Sequence, residues 1–469
     1  MSDITGDTLI KWGFKPGPAF KQMLDEGNKL LKGGASSMEV FHRLQELKPV
    51  EVPTIPLRTN SIPFGQFIEP ETDDEIENTN AVIQHMDALM RVPTIKAGAI
   101  MPDACPSGSA LGTIPVGGVV ACENAIHPGF HSADICCSMA ISVFKRREDA
   151  SKILDAAMKV SHFGPGKRTA TEARQHKDLV ALVKSFDANP FLKGLEDYGI
   201  HHFMTQGDGN HFFYVGELES AGQTVIVTHH GSRGLGGALY KRGKAAAEKH
   251  TKIVAPRVPL HNAWIEADSQ IGQDYWAALQ VTRQWTKMNH FAIHDAVAKR
   301  IGNSVVDRFW NEHNFVFQKS DGLFYHAKGA TPAYSGYSDD DQGLTLIPLN
   351  MAQPILIAGH SRSDHALGFA PHGAGRNMSR TTHIKRLTAE FGDSRGLGPK
   401  AIEAIMARET AGLDVRFYTG APDVSELPSA YKNAGQVQEQ IRKHRLATIN
   451  SRILPLGSIM AGEVKWKKI

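Results

Sequence analysis

Apolar and polar residues alternate with period two in two stretches near the middle of the chain. In GDGNHFFYV, residues 207–215, a glycine turn leads into an aromatic, β-branched run that predicts a strand. Its period puts Asn210, Phe212 and Tyr214 on one face and His211, Phe213 and Val215 on the other. In TVIVTHHGSR, residues 224–233, Val225, Val227 and His229 share a face, and Ile226, Thr228 and His230 share the opposite one. Either face can be the inner one, so alternation alone does not choose between the two histidines. Helical spacing predicts helices over 75–90, 151–160, 171–186 and 272–302. Glycines and short apolar runs alternate over 97–139, which predicts strands joined by tight turns. Residues 4–31 predict short helices with Thr5 as an N-cap and Lys15-Pro16-Gly17-Pro18 as a break. Pro49, Pro53, Pro56, Pro63 and Pro70 mark 36–75 as a linker or a wrapping loop. The expected division is a helical module over 1–35, a proline-rich linker and helix over 36–94, and a main body over 95–469.

Composition narrows the class. Of 469 residues, 41% are hydrophobic and 22% charged, as in a globular protein with a sizeable core. The net charge of +3 does not argue for nucleic acid by itself, although 52 lysines and arginines suffice for a local basic groove. No basic, apolar leader and no run of about 18 apolar residues is present, so the expectation is a cytoplasmic protein without a membrane span. All four cysteines, Cys105, Cys122, Cys136 and Cys137, fall in one short stretch. Adjacent Cys136 and Cys137 do not suit a disulfide framework and suggest a metal or catalytic cluster; for Cys122 and Cys136 a buried free thiol is an equal reading.

The candidate chemistry centres on His372-Gly373-Ala374-Gly375-Arg376. A histidine in a loop with two glycines lets the backbone approach a ligand and offer N–H groups to phosphate oxygens, and its imidazole can act as nucleophile or base. Asp134, Cys137, His211, His229 and His313 lie in four dispersed stretches. One carboxylate, one thiolate and three imidazoles suit one or two transition-metal ions, with zinc slightly ahead of manganese on ligand type alone. Arg233, in the turn after the second strand, suits bidentate phosphate binding, and Lys328 before a glycine is a candidate phosphate contact.

With these residues in view, the chain resembles the RtcB family of RNA ligases. The matching stretches are MPD (101–103), DICC (134–137), GDGNHF (207–212), HHGSRGLG (229–236), HNFVF (313–317), HAKGAT (326–331), IPLNM (347–351), HGAGRNMSR (372–380), AYK (430–432) and PLG (455–457), in the family's order. The resemblance implies an α+β fold with a large β core around an active-site cleft. It also implies joining of a 2′,3′-cyclic-phosphate or 3′-phosphate RNA end to a 5′-hydroxyl end, with GTP and two manganese ions. His372 matches the nucleophile that becomes guanylylated, and Asp103 the carboxylate that orients it. Asp134, Cys137, His211, His229 and His313 match the metal ligands, which favours His229 over His230. The nucleotide and phosphate contacts fall on Asn210, Arg233, Lys328, Asn350, Met351, Gly373, Ala374, Gly375, Arg376, Tyr431 and Tyr214. Implied partners are tRNA or damaged RNA with phosphate-bearing 3′ ends and an archease-like activator. Residues 4–31 separately resemble a small helical module found near the ends of tRNA nucleotidyltransferases.

Departures from the family cluster in the nucleotide pocket. Tyr214 stands where a glutamate reads the guanine edge, Met460 where a lysine contacts guanine, and His360 where a serine is usual. Loss of the carboxylate predicts weaker discrimination for guanine, so ATP or another nucleotide enters as an alternative to GTP. Cys105 replaces a histidine, and Ala327 and Pro332 replace two arginines. The resemblance is therefore to a divergent paralogue with its metal ligands and nucleophile retained. The alternatives are a metal-dependent nucleotidyl transferase or phosphodiesterase acting on RNA 3′ ends without sealing, and a non-catalytic RNA-binding paralogue.

Overall fold

The computed structural model describes residues 3–17, 19–47 and 53–463, so Pro18 of the expected break and Pro49 of the expected linker lie outside the described residues. The chain separates into two compact units, residues 1–54 and 55–469.

Among its described residues the first unit has three helices, Gly6–Lys11, Ala19–Lys32 and Ser37–Glu46. Thr5 caps the first, accepting from Thr8 N while Thr8 Oγ1 accepts from Thr5 N. Ser36 and Glu39 form the same reciprocal box on the third. Leu9, Phe14, Met23, Val40 and Leu44 close its small core. The third helix falls in the stretch expected to be a linker, and the unit runs past the expected boundary at residue 35. Its signal was local: a Ser-x-x-Glu box followed by Val40 and Leu44 four residues apart.

The second unit is α+β, built on two sheets. One has five strands in the order Gly65–Gln66, Ile95–Cys105, Val116–Cys122, Phe324–Lys328, Asn314–Gln318. The other has eight. Seven run in the order Val305–Glu312, Ser138–Phe144, Thr224–His230, Phe212–Leu218, Thr448–Met460, Ile355–Gly359, Leu344–Pro348, and Asp414–Phe417 pairs parallel to Thr448–Met460. The two end strands of this sheet approach each other, and Asn311 Oδ1 accepts from Leu346 N at 2.9 Å, so the sheet curls into a nearly closed core. The 32-residue helix Gln270–Ile301 covers one side and stops at Gly302, which takes the left-handed conformation at φ 69°.

The expected helix over 75–90 is Asp73–Leu89, and that over 151–160 is Ala150–Val160. The expected helix over 171–186 is broken into Ala170–Ala173, Lys177–Lys184 and a 3₁₀ turn Ser185–Ala188. No helix among the described residues is long and apolar enough to cross a membrane.

Candidate functional site

Alternation along Thr224–His230 sends its two histidines to opposite environments. His230 turns toward the long helix, where its ring stacks on His290 with centroids 3.5 Å apart. That side is already saturated with polar partners: His290 meets Thr228 Oγ1 at 2.6 Å and Ser138 Oγ at 3.0 Å, and His294 meets Thr228 Oγ1 and Ser142 Oγ, both at 2.8 Å. His229 turns the other way. Its Nδ1–H donates to the Asn210 carbonyl at 3.1 Å, which leaves the Nε2 lone pair free. Nε2 lies 3.2 Å from Cys137 Sγ and 3.1 Å from His313 Nε2. Cys137 Sγ is also 3.4 Å from His211 Nε2, which is 3.2 Å from Asp134 Oδ2.

The local chain explains this convergence. Cys136 takes φ 57°, rare for a residue with a side chain, and its N–H donates to the Asn314 carbonyl at 2.7 Å. His313 N in turn donates to the Cys137 carbonyl at 2.9 Å, so the two motifs clamp each other. Gly231 lets Asp134 in: a Cβ there would sit 2.0 Å from Asp134 Oδ1. Cys137, His211, His229 and His313 are all buried. Burial drives the His229 and His313 imidazoles well below their usual range, so both are neutral and able to donate a lone pair. Burial alone would raise Asp134, but the neighbouring His211 holds its carboxyl below the usual range. Burial and the Asp134 carboxylate push the Cys137 thiol up, the direction that a bound cation reverses. Neutral imidazole nitrogens, a sulfur and a carboxylate facing one point fit a transition-metal ion, and Cys137, His211 and His229 meet the geometry of a three-ligand cluster.

His372 follows the strand Phe369–Pro371, which pairs with Ala330–Pro332. Its Nδ1 lies 2.6 Å from Asp103 Oδ2 and 2.8 Å from the Gly329 carbonyl, and its backbone N–H donates to Asp103 Oδ2 at 3.2 Å. Both ring neighbours are acceptors, so Nδ1 carries the proton and Nε2 the lone pair. The His372 and His313 rings are 4.7 Å apart, which sets the lone pair beside the cluster. Gly375, at φ 73°, is required: a Cβ would lie 2.0 Å from the Asp103 carbonyl oxygen. The loop is tied down from the far side by Lys432, whose N–H donates to the Gly375 carbonyl and whose Nζ donates to the carbonyls of Pro102 and Ala104.

A cavity of about 220 Å³ opens beside His372, bordered by Asn210, Tyr214, His229, Asn350, Met351, Gly373, Ala374, Gly375, Arg376 and Tyr431 among others. Arg233 lies instead in an adjoining open cleft with Asp134, His211 and Asn210, and its Nε donates to Thr205 Oγ1 at 3.3 Å. Lys328 is apart from both: its Nζ donates to Ser107 Oγ at 2.6 Å and borders another cavity with Tyr240 and Lys244. Of the family departures, Met460 lines the 220 Å³ cavity, whereas His360 sits 3.6 Å from Asp341 outside it. Ala327 and Pro332 are buried in strands.

Two residues that sequence reasoning left out stand in the same cavity. Glu426 is buried, and its carboxylate accepts from Tyr431 Oη at 2.6 Å, lies 3.6 Å from Arg376 Nη1 and pairs with Arg380. Arg376 also stacks over the Tyr431 ring at 5.5 Å. Arg380 is the last residue of a stretch already singled out, but Glu426 carries no motif signal beyond its five-residue distance from Tyr431.

A family model described as tRNA-splicing ligase RtcB matches residues 85–461. The chain is 25% identical to the tRNA-splicing ligase RtcB of Aeropyrum pernix over 61% of its length and 65% of that protein's. It is 27% identical to that of Archaeoglobus fulgidus over 56% of its length and 61% of the relative's. With that of Thermococcus kodakarensis it shares 23% identity over 87% of its length and 96% of the relative's. The match to the first two relatives thus spans less than two thirds of their length.

Proposed function

This chain belongs to the RtcB family, and from that premise we propose that it is an RNA ligase. It joins a 2′,3′-cyclic-phosphate or 3′-phosphate end to a 5′-hydroxyl end through nucleotidylated His372. The observation that carries this reading is the His372–Asp103 pair. Asp103 and the Gly329 carbonyl hold the proton on Nδ1, so Nε2 presents its lone pair toward the cavity. Attack by Nε2 on the α-phosphate of a nucleoside triphosphate forms a P–N bond and releases pyrophosphate. A 2′,3′-cyclic phosphate is first opened by water to the 3′-phosphate. Transfer of the nucleotide to that phosphate breaks the P–N bond and frees His372. The 5′-hydroxyl then attacks the activated phosphorus, forming the phosphodiester and releasing the nucleoside monophosphate. Backbone N–H groups of the Gly373–Gly375 loop, with Arg376 and Asn210, bind and orient phosphate oxygens. Divalent cations held by Asp134, Cys137, His211, His229 and His313, two manganese ions by resemblance, would supply positive charge to the phosphates.

The RNA partners proposed are tRNA or damaged RNA carrying these ends, with an archease-like activator. The helical segment over residues 4–31 is proposed as an interaction module or, equally, as a packing extension. The test is incubation with manganese and α-labelled GTP or ATP, comparing wild type with His372→Ala. A label that survives denaturation in wild type alone supports the reading; no label in a protein shown to hold its metals sinks it.

One observation favours a second reading. Lys328 is engaged by Ser107 beside a second cavity, and the positions of two family arginines are buried Ala327 and Pro332. Fewer cations near the nucleophile suit a nucleotidyl transferase or phosphodiesterase that modifies RNA 3′ ends without sealing. Labelled adduct with no joined product would favour it.

A further inference from the structure

The long helix Gln270–Ile301 carries a polar stripe behind the metal-ligand cluster. Arg283, Thr286, His290 and His294 recur at spacings of three and four, so they share one face of the helix. Thr286, His290 and His294 are fully buried. Each member of the stripe meets a residue that stands directly beside a candidate ligand. Arg283 pairs with Glu312, which precedes His313. Thr286 hydrogen-bonds the Cys136 thiol, which precedes Cys137. His290 lies 3.0 Å from Ser138 Oγ, which follows Cys137, and 2.6 Å from Thr228 Oγ1, which precedes His229. His294 meets the same Thr228 Oγ1 at 2.8 Å. Along a strand neighbouring side chains point to opposite faces, so Thr228 faces the helix because His229 faces the cluster. Beside the stripe, Asn289 accepts from Met204 N at 2.5 Å and donates to the Thr205 carbonyl at 3.0 Å, at the start of the short strand Thr205–Gly207 that leads to His211.

The hydrogen bonds of the stripe run in one direction. Ser138 Oγ–H donates to the Cys136 carbonyl at 3.0 Å, so Ser138 accepts from His290 Nε2–H. His290 Nδ1 then accepts from Thr228 Oγ1–H, and Thr228 accepts from His294 Nε2–H. Ser142 Oγ–H donates to His294 Nδ1 at 2.8 Å. Every ring nitrogen in the run has a partner. A buried polar network that is fully paired is rigid and holds one arrangement. This one begins on the helix and ends on the backbone on either side of Cys137 and His229.

We propose that the stripe sets the spacing of Cys137, His229 and His313, with His290 as its central positioning residue, and so controls how tightly the cluster holds a divalent cation. The inference rests on the metal-cluster part of the proposed function. His290 acts through Ser138 and Thr228. Groups that orient metal ligands from behind are worth about 10- to 100-fold in metal affinity.

The test compares cobalt(II) binding by wild type, His290→Phe and Leu179→Ala, read by chelator competition and by the visible spectrum of the bound ion. Phenylalanine keeps a ring against His230 but loses both hydrogen bonds. Leu179→Ala truncates a buried side chain of the separate helix Lys177–Lys184 and reports what lost stability alone does. His290→Phe is expected to bind cobalt about tenfold more weakly or worse, with an altered spectrum at saturation, while Leu179→Ala binds as wild type. Wild-type affinity and spectrum in His290→Phe overturn the proposal, and so does equal weakening in Leu179→Ala. Should His290→Phe not fold, Ser138→Ala removes only the hydroxyl between His290 and the Cys136 carbonyl. It is expected to weaken binding several-fold, and wild-type affinity and spectrum there overturn the proposal as well. A wild-type protein that takes up no cobalt sinks the metal reading and this inference together; variants that match a cobalt-binding wild type sink this inference alone.

Discussion

Asp103 Oδ2 lies 2.6 Å from His372 Nδ1 and also accepts the His372 backbone N–H. One buried carboxylate thus sets both the tautomer and the orientation of the ring. Asp103→Asn keeps the shape but lets an amide N–H compete for Nδ1, which would move the proton to Nε2, the proposed nucleophile. The expected result is a loss of adduct formation of about 10²-fold or more, with nucleotide affinity nearly unchanged. Single-turnover labelling alongside nucleotide binding checks the split.

Cys137 Sγ sits between His211 and His229 at 3.4 and 3.2 Å. Manganese or zinc added to metal-stripped protein should raise its melting temperature. A ligand at a hundredfold excess over its dissociation constant adds about 2.7 kcal/mol. Cys137→Ala should lose most of that gain and retain substoichiometric metal by elemental analysis. Equal gains in both proteins would place the ion elsewhere.

Glu426 is a buried anion shared by Arg376, Arg380 and Tyr431. Glu426→Gln leaves those cations without a counter-charge. A stability loss of about 1 kcal/mol is expected, since Arg380 is half exposed and burial already pushes the Glu426 carboxyl up. Because Arg376 lines the cavity proposed for the nucleotide, the KM for nucleotide should rise more than kcat falls.

Lys328 is pushed down to about 8 by burial, from its ordinary 10.5. Between these values the unfolded chain holds a proton that the folded chain has released. Stability contributed by this group therefore rises with pH across roughly 8 to 10.5. At pH 7 the buried ammonium is a cost, so Lys328→Met should be more stable than wild type by about 3 kcal/mol, the advantage vanishing near pH 10.5. Denaturant titrations at pH 7 and pH 10 check the sign.

Much of the site was legible in the residues. Period two placed Asn210 with Tyr214 and His229 apart from His230, because a strand has only two faces. The ligand types of Asp134, Cys137, His211, His229 and His313 suggested a metal before any geometry, and residues 272–302 carried enough helical spacing to predict the longest helix. Local rules also carried the Ser36–Glu39 box, although the surrounding prolines hid it. What tertiary structure alone decided depends on partners far away in the chain. His229 rather than His230 faces Cys137 because the long helix brings His290 and His294 against the other face of the strand. Lys328 borders a separate cavity, where Ser107, more than two hundred residues earlier, meets its ammonium. Glu426 enters the cavity beside His372 only through Arg376, Arg380 and Tyr431, since pairing of a buried charge is a property of the packed interior and leaves no period or spacing in the sequence.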